Sequence, residues 1–500
     1  MTTDSSAGRD RRGQQPAAGQ PRRAQLPDAG QTRPDQHPAV VPTRRFWLLA
    51  LTVCLALALT AGGLTVANAT RGPELTDATV AADRAVVTGG ERLVLRGRQP
   101  LDEVDAAQVE ITPSAPFTVE TKDAEVVIRF SRPLAYATAY TVRVGEVRSR
   151  HTGVASDWTY SFTTPGYSLY SLVGLGPWGY GEADQVIRTD PATGQPTPVL
   201  TGTGIESFTV VAGVTVALSR EPDAVHLIGS APSGSGQFEF SVPDGVDVGL
   251  LQGSTEQPLI GYTLTGEDTA SGRSYDNALF LRDVTDPAQP AREIGGQGGT
   301  ELRVVDWAFI PGTQSLVVED DAQQFYLTST AEGASLVPLG NHDQLIGFLP
   351  GSTSLVVLDK SEEMILDLVT GTSTPLPQAT DDPADEYSGK RTMITPSEWI
   401  QQVDDLTETA DEVTVTSRIT HTRDGVTTDV TSIGAKLGRL LDTGVSANGQ
   451  YAWAEVLDPG APADDLTSGA TDKLSTFLFD LTTGHPVAVV PGGRVLWVSR

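Results

Sequence analysis

Along the first 42 residues the chain shows no apolar period; Pro, Gln, Gly, Ala and Arg dominate. Such a segment cannot bury enough surface to fold alone, which predicts a disordered cytoplasmic tail over 1–44. At Phe46 the pattern changes. From there to Thr70 the chain reads FWLLALTVCLALALTAGGLTVANAT, 25 residues without a charge, and as a helix at 1.5 Å per residue this run reaches about 37 Å. That length predicts a transmembrane helix over 45–69. A short linker, 70–77, follows.

Beyond the linker the apolar positions alternate in short runs, the signature of strands. Between 78 and 165 the runs are Ala85-Val-Val, Leu93-Val-Leu, Val109-Glu-Ile, Phe117-Thr-Val, Val126-Val-Ile-Arg-Phe, Tyr140-Thr-Val-Arg-Val and Trp158-Thr-Tyr-Ser-Phe. Seven short strands in under 90 residues predict a sandwich. The order Ile111-Thr-Pro, Ile128-Arg-Phe-Ser-Arg-Pro-Leu134, Ala139-Tyr-Thr-Val and Trp158-Thr-Tyr-Ser-Phe-Thr-Thr-Pro165 resembles a bacterial Ig-like domain of the SbsA type, found in surface-layer and envelope proteins. The resemblance implies a spacer or adhesive module and brings no catalytic residue. It departs from the family at Val87-Thr-Gly-Gly90, where the usual opening phrase is poorly represented, so the first edge of the domain stays open. Asp157 and Trp158 read as packing between sheets rather than as a ligand pair.

Residues 167–500 carry an internal repeat. Phe309-Ile-Pro-Gly-Thr-Gln-Ser-Leu-Val-Val-Glu-Asp320 and Phe348-Leu-Pro-Gly-Ser-Thr-Ser-Leu-Val-Val-Leu-Asp359 share 8 of 12 positions at an offset of 39. A period near 40 is that of four-stranded propeller blades, with Pro-Gly turning between the inner two strands. Asp190-Pro-Ala-Thr-Gly194, Asp367-Leu-Val-Thr-Gly371 and Asp480-Leu-Thr-Thr-Gly484 recur as outer hairpins, their acids reading as turn formers rather than catalysts. Ser446-Ala-Asn-Gly449 resembles the corresponding step of TolB-type and WD-like propellers, with Ala and Asn replacing Pro and Asp. Seven units start near Tyr167, Gly202, Asp244, Leu302, Asp343, Lys390 and Arg439. The first lacks an inner strand, and Arg494-Val-Leu-Trp-Val-Ser-Arg500 resembles Val304-Val-Asp-Trp-Ala-Phe. The strand at 494–500 is therefore expected to complete blade one and to remove the open edges of the ring. The predicted fold is an all-β exterior, an Ig-like sandwich plus a seven-bladed β-propeller, with one N-terminal transmembrane helix.

Charge sets the topology. Residues 1–45 hold 8 Arg and 4 acids, whereas residues 71–500 hold 27 basic and 59 acidic groups, a net charge of −32. The positive-inside rule then keeps the N-terminus cytoplasmic and the C-terminal domains outside. A field of that sign excludes DNA and RNA as partners. Ala67-Asn68-Ala69 has the small-x-small form of a signal-peptidase site, so release of a secreted protein after Ala69 stays open beside the single-pass anchor. Leu51-Thr-Val-Cys54 is a poor lipobox, because Val53 is bulky, and Thr43-Arg-Arg-Phe is only a weak twin-arginine echo. The single cysteine, Cys54, leaves the exterior without a disulfide. The Arg-rich, Lys-poor, Ala/Gly/Pro-heavy composition suggests a high-GC bacterium of actinobacterial character.

No spacing calls for a catalytic residue, a cofactor or a metal. The exterior histidines, His151, His226, His342, His421 and His485, are scattered and read as surface or packing residues. Two loops stand out as candidate ligand contacts, beside the alternatives of an aromatic plug over the core for the first and a solvated acidic loop for the second. Gly174-Leu-Gly-Pro-Trp-Gly-Tyr-Gly181 sets Trp178 and Tyr180 among glycines, and Thr380-Asp-Asp-Pro-Ala-Asp-Glu-Tyr387 ends on Tyr387 beside four acids without recognisable calcium spacing. Trp307, Trp453 and Trp497 read as blade core. The resulting expectation is a membrane-anchored extracytoplasmic binding or scaffold protein of the cell envelope, its partner an envelope protein or a wall glycan and its oligomeric state open. The competing class is an exported propeller hydrolase or lyase acting on polysaccharide or peptide.

Overall fold

A computed structural model describes residues 43–69, 71–174, 183–191, 193–231, 236–296, 298, 300–376, 386–408, 413–434, 436–461 and 473–499. The chain divides into two units, Met1–Ala67 and Asn68–Arg500. The tail expected over residues 1–42 lies outside the described residues. Helix α1 spans Thr43–Ala69, all but its last two residues in the first unit. Its large apolar side chains from Phe46 to Leu59 are each 55–68% exposed. Among the described residues no helix is long and apolar enough to cross a membrane.

The second unit opens with a two-sheet sandwich. Strands β1 (Leu75–Val80), β2 (Arg92–Gly97), β5 (Glu125–Phe130) and β4 (Phe117–Lys122) form one sheet in that order, and β3 (Val109–Thr112), β6 (Ala139–Arg148) and β7 (Ala155–Thr163) form the other. The first strand differs from expectation. β1 begins at Leu75, inside the expected linker, and pairs with β2. Ala85-Val-Val is not a strand: α2 (Ala82–Ala85) turns there, with Ala85 and Val86 fully buried. A three-residue apolar run cannot distinguish a strand from one buried helical turn. Trp158 fills the space between the sheets at 2% exposure, and its indole N–H donates to the Pro73 carbonyl at 2.7 Å. Asp157 is likewise structural, accepting the Glu146 amide at 2.9 Å.

Seven four-stranded antiparallel sheets follow, and among the described residues they form a β-propeller. Their innermost strands are Gly493–Ser499, Ile205–Val211, Val246–Gly253, Val304–Phe309, Gln344–Phe348, Glu386–Thr395 and Arg439–Val445, in the order of blades 1 to 7. Blade 1 is completed from the C-terminus: Gly493–Ser499 pairs with Tyr167–Val173, bringing Trp497 opposite Leu169. Every blade thus has four strands, blade 1 from both ends of the propeller segment, and only short, protected strand edges remain. The Asp-x-x-Thr-Gly segments sit at outer hairpins as expected. In one of them Asp367 accepts the amides of Val369 at 2.8 Å and Thr370 at 3.2 Å, and these bonds hold its carboxyl below the usual range. Trp307 is fully buried, whereas Trp453 and Trp497 are only partly so.

Side chains latch neighbouring blades at every boundary. Asp184 accepts the Ile205 amide at 2.8 Å, Arg220 meets Asp247 at 2.5 Å, and the Gln252 amide donates to the Trp307 carbonyl at 2.5 Å. Glu319 accepts the Leu345 amide at 2.9 Å, Arg391 Nε meets Glu363 at 3.1 Å, Lys390 meets Asp442 at 2.7 Å, and Glu455 accepts the Arg494 amide. Each innermost strand also carries a register shift against its neighbour. Such bulges bend a strand and re-aim the extra residue.

Candidate functional site

Alternation of antiparallel strands fixes which loops share a face of the ring. The turns after the innermost strands lie on one face, and the sandwich is docked there. In blades 4 and 5 these turns are the repeated Pro-Gly steps. Gly312 and Gly351 adopt φ of 67° and 61°, a region that suits glycine. A Cβ on Gly351 would stand 2.0 Å from Cγ of Pro133, and one on Gly312 2.6 Å from Thr88. The glycines thus serve both the turn and the approach of the sandwich. Polar contacts complete the dock: the Gly89 amide donates to Gly351 at 2.7 Å, the Asn448 side chain to Leu134 at 3.1 Å, and the Tyr136 amide to Gln450 at 2.9 Å. Rings of Tyr136, Tyr167 and Tyr451 pack in series at tilted angles, with centroids 4.9 and 5.3 Å apart, so one core runs from the sandwich into the propeller.

The dock is centred on a buried charge. Glu398, in blade 6, has a side chain 2% exposed. Its Oε1 accepts Arg423 Nε at 2.8 Å and Nη2 at 2.5 Å and contacts His421 Nε2 at 3.0 Å, while Oε2 meets Arg132 of the sandwich at 2.9 Å. Burial alone would raise this carboxyl. The bonds from His421 and Arg423, with the charges of Arg132 and Arg423, outweigh it and bring the group down to about 2. Arg132 belongs to the Ser131-Arg-Pro-Leu134 phrase that carries the Ig-like resemblance, and here that phrase is the docking edge.

Two cavities lie at blades 5 to 7. The first, about 430 Å³, is walled by the innermost strands of blades 5, 6 and 7 and touched by Val87 of the sandwich. Ile346, Phe348, Met393 and Trp453 supply apolar wall, and Lys390, Arg391 and Glu363 supply charge, Arg391 being paired with Glu363. The second, about 440 Å³, lies between blades 6 and 7 and is lined by Gln402, Asp404, Val415 and Arg439, among others. Register puts Tyr387 opposite Asp404 and Leu406 opposite Val415, all on one side of the blade 6 hairpin. Tyr387, Leu406 and Val415 are 65%, 46% and 48% exposed. This apolar stripe belongs to the paired strands Glu398–Glu408 and Val413–Arg423, whose Glu408 and Val413 ends lie on the face away from the sandwich. A larger cleft at the rim of blades 3 and 4, about 570 Å³, is lined mostly by glycine, alanine and aliphatic groups.

Of the three contact residues expected from sequence, Tyr387 is exposed on the inner strand of blade 6, opposite Asp404, and is not itself among the residues that line the cleft. Trp178 and Tyr180 lie outside the described residues, as does the acidic stretch before Glu386. His342 packs edge-on against Phe325 with centroids 5.2 Å apart, and His226 meets Glu239 at 2.6 Å on the surface. Cross-strand carboxylate pairs occur at Asp306 and Glu319 in blade 4 and at Asp442 and Glu455 in blade 7. Burial raises Asp306, Glu319 and Glu455, and both glutamates already accept a main-chain N–H of the next blade. Their arrangement joins blades.

No protein-family model matches the chain, and no curated protein matches its sequence. Solved structures do match. A Lactobacillus plantarum protein, 13% identical, aligns over 67% of this chain and 99% of its own with a TM-score of 0.39. A Bacteroides fragilis protein provisionally named a 6-phosphogluconolactonase is 12% identical over 67% of this chain and 98% of its own, at 0.37. The β-propeller domain of Cps50 (Swd1) from Myceliophteria thermophila is 12% identical over 58% of this chain and 87% of its own, at 0.33. At these scores the likeness carries no functional argument. The class, a β-propeller protein, rests on the seven sheets and their closure.

Proposed function

We propose that the chain is a membrane-anchored, extracytoplasmic binding protein of the cell envelope, in which an Ig-like sandwich of the SbsA type and a propeller form one rigid head. The observation that carries the reading is the exposed apolar helix. Phe46, Trp47, Leu48, Leu49, Leu51 and Leu55 are all more than half exposed, and each such side chain left in water forgoes roughly 1.5–3 kcal/mol of burial. A helix apolar on every side is supported by lipid or by a protein core, and the basic residues upstream of it favour the cytoplasmic side for its N-terminus.

The head supports a binding role through its asymmetry. The sandwich covers one face, and the opposite face keeps the Tyr387, Leu406 and Val415 stripe beside a cleft. Aromatic and aliphatic anchors of this kind are what a protein or glycan partner uses. A photo-crosslinking residue at position 387, expressed in the native host, tests the reading. It is expected to capture one reproducible envelope protein or wall fragment, and a crosslink pattern no different from that of a residue placed on the rim at Val369 would count against it.

A further inference from the structure

We infer that the axial cavity of about 430 Å³ is a small-molecule site for an amphipathic organic carboxylate, one with an aromatic or short aliphatic tail. The inference does not rest on membrane anchorage or on a partner at the opposite face.

Three observations converge on it. The first is the displacement of a bulge within the repeat. Blades 4 and 5 share eight of twelve residues over their first turn, yet their innermost strands bulge at different places. In blade 4 the extra residue is Val305, near the start of the strand; in blade 5 it is Ile346, with Leu345 opposite Val357 and Gly347 opposite Val356. The shift moves the bulge toward the sandwich and extrudes Ile346, 48% exposed, into the cavity. In blade 6 the shift falls at Gly389-Lys390, and Lys390 lines the same cavity. Bulges re-aim side chains and concentrate near sites. Here two of them deliver an apolar and a cationic group to one space.

The second observation is the wall they face. The indole of Trp453 lies flat on the opposing strand, so that a Cβ on Gly444 would stand 2.6 Å from its ring. Phe348, Leu349 and Met393 continue the apolar surface. Lys390 Nζ lies 5.8 Å over the Trp453 ring and 2.7 Å from Asp442. Its side chain remains 52% exposed, and an ammonium carries three donors. Ammonium donors thus remain for an anion entering beside the indole. The cavity volume falls within the range of small-molecule sites.

The third is an unmatched polar atom. Thr392 belongs to the wall of this cavity, and its buried Oγ1 has no hydrogen-bond partner among the described residues. A buried hydroxyl normally finds one. A carboxylate held by Lys390 would cover Ile346 and Trp453 with its tail, removing exposed apolar surface, and would reach the Thr392 hydroxyl only where the side chains that seal it off move aside.

Isothermal titration of the full chain in nanodiscs with 3-phenylpropionate, against empty nanodiscs as blank and 3-phenylpropionamide as the uncharged control, tests this. The acid is expected to bind saturably at one site, roughly tenfold tighter than the amide, as a charge-assisted bond predicts. Lys390→Met is expected to bring the acid down to the affinity of the amide, and Ile346→Trp, which fills the cavity, to abolish both. Circular dichroism melting of each variant separates lost binding from lost folding, and Ile346→Val serves as the milder substitution if Ile346→Trp fails to fold, with binding of both ligands weakened but measurable. Absence of saturable binding, equal affinity for acid and amide, or an unchanged acid affinity in Lys390→Met would overturn the inference.

Discussion

Glu398 offers the sharpest test of how the sandwich and the propeller are joined. Its carboxylate lies at about 2 rather than at its ordinary 4.5, because two arginines and a histidine face it from two domains. At about 1.4 kcal/mol per unit, that depression is on the order of 3 kcal/mol of stability. Glu398→Gln keeps the shape and removes the charge, leaving Arg132 and Arg423 opposed to a neutral amide, so the unfolding free energy at pH 7 is expected to fall by about 3 kcal/mol. Arg132→Ala removes only the sandwich partner. Arg132 is 39% exposed, which limits its share to about 1 kcal/mol. The sign of the pH dependence follows from the direction of the shift. A depressed carboxyl contributes stability above its unfolded value and loses it as pH falls through its folded value, so the gap between the wild type and Glu398→Gln should close from pH 4.5 down to about 2. Urea unfolding at several pH values measures this. A gap under about 1 kcal/mol at pH 7, or one that stays constant down to pH 2, would refute the reasoning.

Other parts of the molecule make independent predictions. Asp306, Glu319 and Glu455 are raised by burial, so the stability they contribute is complete below their unfolded values and lost as pH rises through the folded ones; the melting temperature should peak on the acid side of neutrality, and a steady rise up to pH 8 would contradict this. Gly351→Ala meets both a φ of 61° and Pro133 at 2.0 Å, and should cost about 2–3 kcal/mol, whereas Gly484→Ala, with φ 70° and open space, should cost about 1 kcal/mol. Equal losses in calorimetry would show that the sandwich does not press on the Pro-Gly turn. Truncation before Gly493 removes the inner strand of blade 1 and the acceptor pairing of Glu455; the whole ring should melt at a lower temperature, and an unchanged melting temperature would mean that closure adds nothing.

Much of this architecture is legible in the sequence because repetition makes it so. The Phe-x-Pro-Gly phrase at an offset of 39, the Asp-x-x-Thr-Gly hairpins and the likeness of the last strand to Val304–Phe309 are local patterns, and local patterns are what period and turn chemistry report. β1 is harder to read, since Leu75–Val80 is a half-exposed edge strand with only weak alternation. The dock is not legible at all. Tyr136 and Gln450, or Leu134 and Asn448, meet across 314 residues, and nothing in one sequence distinguishes Glu398 from the many acids that stay on the surface. The axial cavity is hidden for a related reason: two nearly identical repeats place their bulges differently, a choice made by packing around the ring. Lys390 is visible from sequence only as the start of a blade, and Trp453 only as core.

Anchorage of the head is the central proposal, and the state of the helix in the mature protein tests it most directly. Membranes from the native host, washed with carbonate and analysed by mass spectrometry, are predicted to retain the protein and to yield peptides covering Phe46 to Ala69 joined to Arg71 and beyond, with the propeller cleaved by protease added outside the cell. A mature N-terminus at Thr70, with the protein in the medium and no Phe46–Ala69 peptide, would contradict anchorage and leave a secreted head.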